Sequence, residues 1–253
     1  MSVLTAILTH LDPPRVGKQL DYLHSISPQS TFVLCHGGAR SDFAELAYDR
    51  ALYIEDPSLR GPLKHQSYTE ILRRVYETYV QADASVELVY FIEYDHLILS
   101  PRFEQELEAM AERSDAGLFG KCVSPRNDSN WSHFARSRHD ERLNRFFEQI
   151  SCRDDPAVRW GCLGDGMLFR RDALEAVATV PDPPHAFMEL FIPSLVYHLG
   201  FELMDVDAIS DLYTGLRWRP EFTVTDALAA KRAARSFLHP FKSVEALDLI
   251  LAG

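Results

Sequence analysis

The chain has no excess of positive charge. Against 26 lysines and arginines stand 37 aspartates and glutamates, a net charge of −11 over 253 residues. Sequence-independent nucleic-acid binding draws its affinity from phosphates neutralised by Lys and Arg, so this balance excludes nucleic acid as the expected partner. It speaks equally against docking on anionic lipid. It leaves open a small phosphorylated ligand, because a bound metal ion can supply the missing charge locally. Apolar runs approaching the ~20 residues that cross a bilayer are also lacking, and no transmembrane segment is expected. Met1–His10 has neither the basic start nor the long apolar stretch of a secretion signal. The four cysteines, Cys35, Cys122, Cys152 and Cys162, form no C-x-x-C pair, which argues against a zinc ribbon or a thioredoxin-type site. Cys35 and Cys122 lie in apolar stretches and read as buried thiols, a usage that fits a reducing cytoplasm. Internal repeats and low-complexity linkers are missing too.

What remains is an ordinary globular composition, 46% hydrophobic and 25% charged. A chain of this length buries a large core without staples. Ser2–Thr9, Thr31–His36, Ala51–Glu55 and Leu88–Ile92 read as strands. Between them are expected a loop with Asp12, Pro13 and Pro14 followed by a short helix through Leu20 and Leu23, then helices at Phe43–Arg50 and His65–Gln81, the last with Tyr68, Ile71, Leu72, Val75, Tyr76 and Tyr79 on one face. Leu88–Ile92 is apolar on both faces, as a central parallel strand covered on both sides should be. A helix opened by Ser100 and Pro101 follows. This alternation predicts an α/β fold: one domain over 1–253, with a mostly parallel twisted sheet flanked by helices. The second half is less regular. Strands are expected near Gly117–Val123, Gly166–Phe169 and Phe201–Val206, and helices at Glu141–Ile150, Asp172–Ala178, Phe187–His198, Thr225–Leu238 and Val244–Leu251.

In such sheets ligands lie at the carboxyl ends of the strands. The fourth strand ends on Glu93-Tyr94-Asp95. Two carboxylates so close together at the end of a buried strand are costly unless paired or bound to a cation. In extended backbone, residues two apart point the same way, so Glu93 and Asp95 are expected to converge. Oxygen ligands of this kind suit Mg²⁺ or Mn²⁺. At ~4 Å and an effective dielectric of ~20, one unit charge pair is worth roughly 4 kcal/mol, enough to matter for a departing diphosphate. The plain alternative is a solvated acidic pair. After the other strand ends come Thr9, His10 and Asp12, and Glu55 or Asp56, placed to meet a base or ribose. Lys64 and Tyr68 stand where the next helix begins. Later in the chain, Glu189 sits among Phe187, Met188, Leu190 and Phe191, a setting that raises a carboxyl pKa toward that of a general base. Glu202 and Asp182 are weaker candidates for that role. Lys242, in His239-Pro240-Phe241-Lys242, is a candidate point charge for phosphate. Arg217-Trp218-Arg219 reads either as a lid or as a surface loop. The glycines of Trp160–Asp172 precede a strand, so they do not make the G-x-G-x-x-G dinucleotide fingerprint, which follows one.

Three segments carry a resemblance. The stretch FIEYDHLILSPRF resembles the strand–D-x-D–strand segment of GT-A glycosyltransferases of the D-x-D type, family 2-like, with Asp95 at the position that ligates the metal and Glu93 departing from the usual aspartate. Trp160–Asp172 is similar to the glycine-rich loop before the acceptor site of that group. Glu189 matches the acidic residue that, in inverting members, takes the acceptor proton. The resemblance implies a nucleotide-diphospho-sugar transferase of hexosyltransferase type. It implies a UDP-sugar donor bound in residues 1–100, a hydroxyl acceptor in residues 101–253, and Mn²⁺ or Mg²⁺ held by Glu93, Asp95 and His239. A saccharide, a lipid-linked molecule or a small molecule each fits as acceptor. A nucleotidyltransferase on a related sheet is the alternative within enzymes, although Thr9–Arg15 lacks the Gly- and Lys-rich loop that holds a triphosphate. A non-catalytic nucleotide- or sugar-binding or protein-interaction module is the alternative outside them.

Overall fold

Residues 2–56, 59, 66–127 and 129–253 are described by a computed structural model of the chain. The first strand, β1 (Ser2–Thr9), is almost wholly buried, and its alternation splits the core in two. Leu4, Ala6 and Leu8 join the cluster on one face, whereas Val3 and Ile7 join the cluster on the other. The helix α1 (Pro13–Ile26) starts on Pro13 behind an Asp12 N-cap, whose carboxylate accepts from the Arg15 backbone N–H. Then come β2 (Thr31–His36), a short α2 (Arg40–Ala44), and β3 (Ala51–Tyr53). After α3 (Thr69–Val75) and one π-helical turn at Tyr76–Val80, the chain forms β4 (Val86–Glu93) and the two-residue β5 (Leu97–Ile98).

The second half adds α4 (Phe103–Ala111), β6 (Leu118–Gly120), β7 (Ser124–Pro125), α5 (Ser132–Ser137), α6 (Glu141–Ile150) and β8 (Trp160–Gly161). It continues with β9 (Met167–Arg170), α7 (Arg171–Thr179), α8 (Met188–His198) and β10 (Leu203–Asp205). It closes with α9 (Val224–Arg232), β11 (Phe237–Leu238) and α10 (Leu247–Ala252). Strands of both halves form one seven-stranded sheet in the order β10-β6-β9-β4-β1-β2-β3. Every neighbour pair is parallel except those made by β9, which runs against both β4 and β6. The fold is therefore the expected α/β architecture with a mostly parallel sheet. Helices α3, α6, α7 and α8 cover one face, and α1, α4, α9 and α10 the other.

Three sequence expectations are corrected here. Glu93 ends β4, and Tyr94-Asp95 form a turn closed by the His96 N–H on the Glu93 carbonyl (3.0 Å), so the extended-strand argument for a convergence of Glu93 and Asp95 does not hold. The helix expected to run to Leu238 stops at Arg232, because Phe237 and Leu238 pair as a strand with Ile98 and Leu97. Cys122 is exposed, with φ +58, whereas Cys35 and Cys162 are buried. Among the described residues, no helix is long and apolar enough to cross a membrane.

Candidate active site

The order of strands reverses between β1 and β4: the chain leaves β1 toward β2 and β3 on one side, while β4 lies on the other. A crevice opens at the carboxyl end of such a switch point, and there β4 delivers Glu93. Its side chain points to the same face as Val89 and Phe91, where it meets Tyr68, whose ring lies edge-on to Phe91. The Tyr68 hydroxyl donates to Glu93 Oε1 at 3.0 Å. Tyr68 is held at φ +61 at the start of α3, an unusual backbone for a bulky residue.

The antiparallel β9 brings in a residue with no assigned role in the sequence reading. Phe91 pairs with Met167, and two residues further along each strand the register brings Glu93 to Asp165. There a side chain replaces the ladder carbonyl: Asp165 Oδ1 accepts from the Glu93 backbone N–H at 2.7 Å. The other oxygen, Oδ2, accepts from His96 Nδ1 in a short contact, and His96 Nε2 lies 3.1 Å from the Tyr90 hydroxyl. Asp165 is 2% exposed, and both its oxygens are occupied in holding the turn that carries Asp95. Its signal in the sequence is an acid between two glycines, Gly164 and Gly166, directly before a buried strand. Gly166 has φ +78, which a side chain would strain.

Asp95 faces His239. His239 Nδ1 donates to the Arg217 carbonyl at 3.0 Å, which leaves Nε2 directed at Asp95 Oδ1 at 3.4 Å. Asp95 Oδ1 is buried and, among the described residues, has no hydrogen-bond partner. Phe241 N–H donates to the Asp95 carbonyl at 2.7 Å, so the segment after β11 clamps this turn from above. Burial disfavours the imidazolium, but the carboxylates of Asp165, Asp95 and Glu93 outweigh it and push the His239 pKa up to about 9. Glu93 is pushed up to about 7, first by burial and then by Asp165 and Asp95. Burial also works against the Asp165 carboxylate, yet His239, His96 and the Glu93 N–H hold its pKa below the ordinary value.

Glu189, in the first turn of α8, reaches toward the same crevice. Its Oε1 accepts from the Gly164 N–H at 3.0 Å, and its pKa is raised by burial against the opposing pull of that hydrogen bond and of His239. A side chain at Gly164 would collide with Met188 and approach Glu189 Cγ to 3.0 Å, so the glycine is what lets Glu189 lie against the loop.

Tyr68, Glu93, Asp95, Glu189 and His239 are thus gathered at one end of the sheet. His10 and Lys242 stand within electrostatic range of Asp95, with His10 packed edge-on to Tyr94 and Lys242 paired with Glu221 at 3.0 Å. Other expected nucleotide contacts are engaged elsewhere. The Thr9 hydroxyl accepts from the Leu11 N–H, Asp12 caps α1, and exposed Glu55 pairs with Arg40 at 3.5 Å. Asp56 is buried behind β3. Lys64 lies outside the described residues. Arg217 stacks on Phe222, and Trp218, beside it, is 72% exposed.

The expected ion ligands fit unevenly. Among the described residues, no group of three or more His, Cys, Asp or Glu side chains is arranged to hold a metal ion. Glu93 is turned to Tyr68. Asp95 and His239 do fit: a buried carboxylate oxygen without a hydrogen bond faces a ring nitrogen whose lone pair is free once the proton leaves. That place favours a positive charge, and either the imidazolium proton or a cation supplies it.

No family model matches the chain, and no curated protein matches it. Among solved structures it is similar to Rv0371c of Mycobacterium tuberculosis H37Rv in complex with manganese, at 13% identity and TM-score 0.43, over 81% of this chain and 87% of that one. It is similar to a glycosyltransferase involved in glycosylating the major capsid of PBCV-1, at 11% and 0.44, over 100% and 99%. It is also similar to the galactosyltransferase LgtC in complex with donor and acceptor sugar analogues, at 12% and 0.41, over 100% and 95%. Likeness at this level identifies no activity, and function has to be read from the side chains.

Proposed function

We propose that the chain is a metal-dependent glycosyltransferase that moves a sugar from a nucleoside-diphosphate sugar, a UDP-sugar on resemblance, to an acceptor hydroxyl with inversion. The observation that carries this reading is the Asp95–His239 pair: a buried carboxylate oxygen, without a hydrogen bond among the described residues, 3.4 Å from an imidazole nitrogen just beyond the carboxyl end of β4. Residues 1–100 would bind the donor, and residues 101–253 the acceptor. Asp95 and His239 would hold Mn²⁺ or Mg²⁺, with Glu93 joining only if it leaves Tyr68. Such an ion supplies positive charge against the departing diphosphate. Lys242 adds a further cation on that side. Glu189 takes the proton of the acceptor hydroxyl, whose oxygen attacks the anomeric carbon as the bond to the diphosphate breaks on the opposite face. The raised pKa of Glu189 suits that role. Asp165 does not touch substrate in this scheme; it positions the turn that carries Asp95.

Calorimetry with UDP, with and without Mn²⁺, tests the donor half, and release of sugar from UDP-sugars tests turnover. The reading expects metal-dependent UDP binding, and loss of metal-dependent turnover in Asp95→Asn with an unchanged far-UV spectrum. Wild-type rates in that variant would overturn it. Binding of UDP that ignores the metal would favour the non-catalytic module instead.

A further inference from the structure

Beyond the Glu189 side of the crevice the chain builds an aromatic wall that the donor chemistry does not use. Trp131, just before α5, keeps part of its surface in solvent. Its ring centroid lies 5.3 Å from that of His133 and 5.8 Å from that of Phe187, and His133 stacks on Phe187 at 3.7 Å. The Arg126 guanidinium lies 4.9 Å from the centre of the Trp131 ring and donates to the Cys122 carbonyl at 3.0 Å.

This wall is tied to Glu189 through two glycines. A side chain at Gly161 would come within 2.9 Å of Trp131 Cζ3 and 2.6 Å of Arg126 Nε, so Trp131 and Arg126 rest directly on the β8 backbone. One residue on, the Cys162 N–H donates to the Glu189 carbonyl at 3.0 Å; two further, the Gly164 N–H holds the Glu189 carboxylate. Phe187 stands two residues before Glu189 at the start of α8. One short stretch of backbone, Gly161–Gly164, therefore contacts both the proposed base and the tryptophan.

We infer that Trp131, backed by Arg126, is the stacking platform for a saccharide acceptor, so that the transferred sugar is added to another sugar. The inference rests on the transferase reading for its role and on the wall itself for its chemistry. A pyranose has an apolar C–H face that an indole covers, and a rim of hydroxyls that carboxylate and guanidinium groups recognise. An alkyl chain would gain from the indole but would offer no hydrogen-bonding group to the Arg126 guanidinium beside it, which disfavours a lipid chain at this wall.

Saturation-transfer NMR on the full chain without donor tests this, with methyl β-galactoside, methyl β-glucoside and methyl α-mannoside as probes and 1-hexanol as the apolar control. At least one glycoside should receive saturation from the wild type. Trp131→Ala should weaken that binding by up to about tenfold, the scale of one aromatic contact, while Trp131→Phe should retain most of it and hexanol should show none. Equal glycoside binding in Trp131→Ala, or hexanol binding without any glycoside signal, overturns the proposal. Trp131→Phe guards against loss of fold in the alanine variant. Because the measurement omits the donor, failure of UDP and Mn²⁺ to bind would defeat the transferase reading separately and leave the saccharide result standing.

Discussion

Replacing Asp165 by alanine isolates what this buried carboxylate does. Two donors converge on it, the Glu93 backbone N–H at 2.7 Å and His96 Nδ1 in a short contact, and among the described residues neither donates to a second side chain. An unsatisfied buried donor costs about 1–3 kcal/mol, so the variant should lose about 2–6 kcal/mol. In a chain of this length each kcal/mol corresponds to about 2–4 °C, which gives a fall in Tm of at least about 4 °C. Asp165→Asn should fare much better. Its carbonyl oxygen still accepts from Glu93, and its amide donates to His96 Nδ1 once His96 takes the other tautomer and donates Nε2–H to Tyr90. The expected loss there is below about 2 kcal/mol. Urea unfolding at pH 7 for both variants, with matched m-values, reads the difference. An alanine variant within about 0.5 kcal/mol of wild type would refute the reasoning, because the turn would then need no acceptor at Asp165.

Other outcomes follow from single contacts. The Glu93 pKa of about 7 lies above the ordinary carboxyl value of 4.5, so the folded state binds that proton more tightly and the associated stability is lost as pH rises from about 4.5 through 7. Glu93→Gln should therefore gain on wild type between pH 5 and pH 8 in urea titrations; a constant difference would count against it. The His239 pKa of about 9 lies above 6.5, so its contribution is whole below pH 6.5 and disappears through pH 9, and a wild-type unfolding series over that window should decline. Gly164→Ala forces Met188 and Glu189 aside, and overpacking of this kind costs about 1–3 kcal/mol; transfer should fall further than UDP binding, and equal losses would argue against Glu189 as base. Thr223 and Asp226 form a capping box on α9, so Thr223→Ala should cost about 1 kcal/mol in thermal unfolding, and no change would mean the cap is idle.

The parallel core of the sheet was legible because its strands are short, apolar and separated by clear breakers: β1 and β2 begin and end where the residues change character. The amphipathic α6 was equally plain, with Leu143, Phe146 and Phe147 on its buried stripe. Pairing was not legible. Nothing local in Met167–Arg170 says that it runs against β4, and without that register Asp165 cannot be placed beside Glu93. Ala233–Leu238 departs from the expected helix for a related reason. The helical pattern of α9 continues into residues whose long-range pairing with Leu97 and Ile98 overrides it. At the site, Asp95, Glu93, His239 and Glu189 stood out as acids or imidazole in apolar company. The engagement of Asp12 as a helix cap and of Thr9 in its own turn reflects local hydrogen bonding, which competes for the same residue types as ligands do.

The small pairing of β5 with β11, together with the Phe241 hydrogen bond to the Asp95 carbonyl, has a consequence for assembly. The parallel strands β1 to β4 all lie within Ser2–Glu93, but the corner bearing Asp95 is covered by Phe237–Phe241, from a distant part of the sequence. The geometry around Asp95 therefore depends on a segment remote in the sequence, and detachment of that segment alone would open this corner while the strands of the first half keep their pairing.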